Sequence, residues 1–491
     1  MTLLRGGRRS VTPPQGSLLF ALVLAGLSGA VSSGCGGGHV APRSVAAPPG
    51  VVCDYQVWVG PDLALRVAAT FVGPIHGELS LDDAAMDFVD GVTLVGATGR
   101  SSVPRGATGY ALRCSSSCRV EYRFRLRDAA ARVADVDTAI ALGGAVVAPP
   151  STWLLRPTDA FAGRYRFRVE TPSGIGFVTG VRASAAAPGA HEGDLASIGE
   201  SAFSAFGALR TLSVAPGIDA AIVDGVPLHD DDVAPWLRAE LAAIAAYLGR
   251  APDDRLVVIV APGTSDVIRG KTLGGGGASI LVRLGTATTT ADLASDWVVA
   301  HELVHVGFPA LDYEHGWFSE GLATYVEPVA RARRGLVSAE QMWTDLLNGL
   351  PQGLPGKNDR GLEGAEEWGR VYWGGALYFL LADLAIRDAT GGRRSLEDAI
   401  RAVAATGANV ETRWKLQKIL DVGDRATETH VMQELYARYG RSPASTDLEA
   451  LRVRLGVERD PDGRSIHFVD TAPWARFRKS ITAKSDGTRE P

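Results

Sequence analysis

His301-Glu302-Leu303-Val304-His305 carries the densest chemistry in the chain. Residues at i and i+4 share one face of a helix, so both imidazoles can reach one ion while Glu302 stands beside it. Imidazoles at that spacing suit Zn²⁺, and the flanking carboxylate suits a general base that takes a proton from an activated water. The surroundings favour a helix: residues 291–306 hold no Pro or Gly, and Gly307 with Pro309 ends the run. A catalytic zinc needs one further protein ligand and one open position.

Fifteen residues past His305 stands Glu320, inside Trp317-Phe318-Ser319-Glu320-Gly321. Here the chain resembles the gluzincin metallopeptidases, whose third ligand lies in a W-x-x-E-G segment opening the next helix. Aminopeptidase N relatives and the glycyl aminopeptidase family are the nearest in character, over roughly residues 200–440. The resemblance implies one zinc ion held by His301, His305 and Glu320, with Glu302 as general base. Val371-Tyr372-Trp373-Gly374-Gly375 is similar to the family's Y-x-x-G segment, whose Tyr hydrogen-bonds the tetrahedral oxyanion. That implies Tyr372 as oxyanion donor, a role worth about 3 kcal/mol of barrier.

Other residues follow from the same likeness. The loop between His305 and Glu320 is shorter than in aminopeptidase N relatives, so the cleft rim should be trimmed. Those relatives grip the substrate amine through a Gly-x-Met-Glu-Asn segment. The corresponding stretch here, residues 274–280, holds no acid. Gly276, Gly277 and Ala278 are expected to expose a strand edge to the substrate backbone. Amino-terminal trimming and internal cutting both stay open, with Glu314 as a substitute acid for the first. Glu327, two helical turns past Glu320, is expected either to hold a ligand imidazole or to be a solvated charge. His315 belongs to the rim.

These groups need a scaffold, and the expected fold is α+β and multidomain. Residues 51–190 alternate short β-rich runs with Gly, Pro and Asp turns, which predicts a β-sandwich-like domain, with a linker over 183–200. Residues 191–345 read as a thermolysin-like catalytic domain, with buried strands at 256–260 and 279–284 and helices at 292–306 and 318–334. Asp230 to Asp232, beside His229, read as the cap of a helix over 233–248 rather than as a metal cluster. Helices at 338–350, 371–389, 395–405, 411–420 and 427–439 make a helical region over 346–445 that completes the site. Residues 446–491 predict a helix, a small hairpin and a polar tail.

The N-terminus reads as an address. Arg5, Arg8 and Arg9 precede an apolar run from Leu18 to Val31 that ends at Ser32-Ser33-Gly34-Cys35. This resembles a bacterial lipoprotein signal, implying removal of residues 1–34, acylation of Cys35, a tether over 35–50 and membrane attachment outside the cytoplasm. In an oxidising compartment Cys53, Cys114 and Cys118 should supply one disulfide, its partners unassigned. The net charge of −5, without a basic block, disfavours nucleic acid. Residues 265–272 mimic a P-loop, yet Ser265 replaces the leading Gly and no helix can start in the glycines that follow, so no nucleotide is expected. The expected partner is a peptide or protein substrate. The rival reading is a lipid-anchored binding or assembly protein that keeps the fold and zinc without turnover.

Overall fold

A computed structural model describes residues 50–484, apart from residues 98, 159–161, 266 and 461–464. The signal segment, Cys35, nearly all of the tether, the turn of the C-terminal hairpin and residues 485–491 lie outside the described residues.

Alternation builds the N-terminal region. Val51–Val59 buries every second side chain, the period of a strand covered on one face. It pairs with Ala64–Val72 and Gly163–Glu170 inside a seven-stranded sheet. Trp153, wholly buried, bridges to a four-stranded sheet by packing edge-on against Phe167 at 5.3 Å and Phe206 at 5.6 Å. Two expectations need correction. A helix, Leu126–Val133, interrupts the β region. The stretch expected as a linker contributes the strand His191–Asp194 to the larger sheet, and Ser204–Gly207 pairs with Ala145–Ala148. The β-rich region therefore runs past residue 190, because these backbone groups find ladder partners. Cys114 is bonded to Cys118, and Cys53 is a buried free thiol.

The next sheet has five strands in the order Leu209–Ala215, Ile218–Val223, Leu256–Pro262, Ala278–Leu284, Arg269–Leu273. Its inner pairings are parallel and its two outer ones antiparallel. Residues 256–261 are buried throughout, as a strand covered on both faces requires. The helix Asp230–Leu248 begins where the Asp232 carboxylate accepts the His229 amide at 3.2 Å, and ends at left-handed Gly249 (φ 75°). The single helix expected over 292–306 is two, Thr290–Ser295 and Val298–Gly307. Asp296 causes the break: its carboxylate accepts the amides of Val298 at 3.1 Å and Val299 at 3.2 Å, starting the second helix afresh.

Helices Gly316–Arg333, Ala339–Gly349, Gly375–Ala389 and Leu396–Ala404 follow near their expected positions. The helix expected at 411 starts only at Leu416. Residues 410–414 instead run beside the end of the HELVH helix and the segment that follows it, with the Val410 amide on the Val306 carbonyl (3.0 Å) and that of Trp414 on Ala310 (2.9 Å). The chain then forms Leu448–Leu455, a ladder of Val457–Arg459 with Ile466–Phe468, and Ala475–Thr482. Among the described residues no helix is long and apolar enough to cross a membrane.

Candidate active site

The HELVH helix, Val298–Gly307, points His301 and His305 along one face toward Glu320 on Gly316–Arg333. His301 Nε2 lies 3.1 Å from Glu320 Oε2 and 3.2 Å from His305 Nε2, and His305 Nε2 lies 3.4 Å from the same carboxylate. Ligands about 2.05 Å from a tetrahedral zinc stand about 3.3 Å apart, so the donor atoms fit that ion. Two imidazoles and one carboxylate are also the donor chemistry of a catalytic zinc site. Burial pushes Glu320 up, but His305 and then His301 outweigh it and hold the carboxyl well below its ordinary range.

Two glycines bring the remaining group in. Gly321 follows Glu320, and Gly375 opens the helix after Tyr372. A Cβ on Gly321 would stand 2.3 Å from the Gly375 Cα, so only bare backbones can cross there. This contact sets Tyr372 over the site, its ring stacked 5.8 Å from that of His301. Tyr372 lies in a π-helical turn, Arg370–Gly374, a distortion common at functional sites. Arg370 anchors the turn to Asp359 at 2.7 Å and to the Gly353 carbonyl at 2.5 Å. Burial, then the charges and hydrogen bonding of Glu320, hold the Tyr372 phenol well above its ordinary pKa, so its proton stays on.

Glu302 faces a partner that sequence reasoning missed. The Thr272 hydroxyl donates to Glu302 Oε2 at 2.7 Å. Next to it, a Cβ on Gly270 would fall 2.5 Å from Glu302 Cγ. Both residues belong to Arg269–Leu273, the outer strand of the five-stranded sheet, which runs past the HELVH helix. No sequence profile of a known family matches the chain, and no curated protein matches it in sequence. Its backbone does have relatives. An aminopeptidase N family protein from Idiomarina loihiensis superimposes with a TM-score of 0.64 at 14% identity, covering 83% of this chain and 80% of that one. The fold is an aminopeptidase N fold. Yeast LTA4 hydrolase shares it with a TM-score of 0.51 at 13% identity, over 83% of this chain and 70% of that one.

Within the aminopeptidase N fold, His301, Glu302, His305, Glu320 and Tyr372 converge, while other expected residues fall elsewhere. The glycines do not form the cleft edge. The Arg182 amide bonds the Gly276 carbonyl at 2.8 Å, Gly277 bridges Val181, and Ala278 is wholly buried in the sheet. The β-rich region covers these residues, so the exposed edge falls one strand earlier, at 269–273. Residues 269–272, from the stretch that mimics a P-loop, thus lie in the strand beside Glu302. Glu327 is buried rather than solvated, and it pairs with Arg331 at 2.9 Å rather than with an imidazole. Its helix turns it toward the core, where Arg331 also meets Glu240 at 3.1 Å. His315 bonds Glu363 at 2.9 Å, with Glu314 at 3.6 Å.

Proposed function

We propose that this chain is an exported, lipid-anchored zinc metallopeptidase that hydrolyses peptide bonds in peptides or proteins. The observation that carries this reading is the convergence of three zinc-type donors on one point, with a fixed carboxylate and the Tyr372 phenol beside them. His301, His305 and Glu320 would hold a single ion. Bound there, zinc supplies Lewis acidity toward a water and toward the scissile carbonyl.

The chain's own residues do the rest. Glu302 keeps one oxygen on the Thr272 hydroxyl, and its other oxygen takes the proton of the attacking water and passes it to the leaving amine. Tyr372 donates its hydroxyl to the carbonyl oxygen as that atom gains charge. The strand Arg269–Leu273 offers backbone groups to an extended substrate. Attachment through Cys35 would place the cleft beside a membrane.

Chelation tests the reading. The purified protein should carry one zinc per chain by elemental analysis, lose peptide cleavage when stripped and regain it on zinc addition. Cleavage that survives complete stripping would contradict the assignment.

A further inference from the structure

Two tryptophans remain in water beside the candidate centre. Trp297 is 47% exposed and Trp368 is 39% exposed, whereas Trp153, Trp317 and Trp343 are almost completely buried. Each exposed ring belongs to an i, i+4 pair whose inner member is a site residue. Trp297 stands one turn before His301 on the face that also carries His305, its ring 5.5 Å from the His301 imidazole. Trp368 stands one turn before Tyr372, its ring stacked at 5.1 Å. Since His301 and Tyr372 stack on each other, the four rings form one continuous wall with an exposed indole at each end.

Large apolar surface left in water at a site's mouth marks a place where something apolar binds. Indoles offer flat faces that favour stacked or edge-on aromatic partners and bulky aliphatic groups. The strand beside Glu302 carries Lys271 and no carboxylate, so it offers nothing that would select a free ammonium group. Selection then falls to side chains.

We infer that Trp297 and Trp368 are the two lips of the substrate cleft, and that the chain selects peptides with aromatic or bulky aliphatic side chains on both sides of the bond cut. This rests on the peptidase reading above. Trp297 receives a side chain on the HELVH side and Trp368 one on the Tyr372 side.

The test uses the zinc-loaded full chain with quenched hexapeptides that carry Phe or Ala at each position flanking the bond. The wild-type ratio of kcat/KM for Phe over Ala should fall about tenfold on one side in W297A and on the other side in W368A, a loss in the range of a stacked anchor. W297F and W368F should restore it, with zinc content and Tm unchanged in all four variants. Ratios that do not move in the alanine variants would overturn the inference. If the wild type cuts none of the peptides, the peptidase reading fails separately. Indole fluorescence titration then decides the inference: tighter binding of Phe than Ala peptides, lost in W297A and W368A, supports it, and equal binding overturns it.

Discussion

Glu302 is useful as a base only if its carboxylate is aimed, and the aim comes from two small residues on the neighbouring strand. Thr272 contributes a hydroxyl at 2.7 Å and Gly270 contributes empty space. T272V keeps the shape and removes the donor. Losing one hydrogen bond to a charged group should lower kcat about tenfold with little change in KM, and T272S should recover it. G270A puts a methyl group against Glu302 Cγ and should lower kcat further while zinc stays bound. Steady-state kinetics with metal analysis checks both, and equal kcat in T272V and wild type would count against the aim. HExxH and W-x-x-E-G were legible because their spacing is local to one helix or one helix opening. Thr272 was hidden because its partner lies thirty residues away across a sheet–helix contact that no local period encodes.

The HELVH helix is held from behind as well as in front. Asp296 caps it, and Arg331 on the Glu320 helix meets Glu327 and Glu240 in the same buried space. Burial outweighs the guanidinium at Glu327 and Glu240, and the Val298 and Val299 amides at Asp296, pushing Glu327 up to about 8, Glu240 up to about 7 and Asp296 up to about 6. The folded chain therefore keeps protons that the unfolded chain releases near pH 4. Stability should fall as pH rises from about 4 through about 8, since the folded state binds more protons across that window. E327Q retains an oxygen for Arg331 and removes one ionisation. Its Tm should match wild type near pH 4 and exceed it by a growing margin toward pH 8.5. Scanning calorimetry decides this, and parallel pH curves for the two proteins would argue against it. The acids were visible in the sequence, but the helix rotation that turns Glu327 inward was not. It follows from how Gly316–Arg333 packs on Asp230–Leu248, not from the seven-residue spacing to Glu320.

At the scale of the whole described chain, the β-rich region is fastened to the parts that carry the site. Arg182, between two strands of the β-rich region, reaches Asp253 at 2.6 Å, Asp254 at 2.5 Å and Glu411 at 2.5 Å. The Asp253 side chain is wholly buried and also accepts from Asn409. R182A leaves that carboxylate without its guanidinium. It should cost about 2–3 kcal/mol, a discounted value because Arg182 itself is one-third exposed. Chemical denaturation measures it, and an unchanged midpoint would show that the fastening is unimportant.

The α+β class and most helices were legible from periodicity and caps. The glycine run was misread because four glycines suggest an open edge, whereas here they allow the β region to lie directly on the backbone. The most direct test pairs zinc analysis of the purified protein with mass spectrometry of a mixed peptide library digested by wild type and by E302Q. One zinc is expected in each protein, with cleavage by the wild type and none by the variant. Zinc in both with no cleavage by either would contradict the peptidase reading and favour a binding protein that retains the fold.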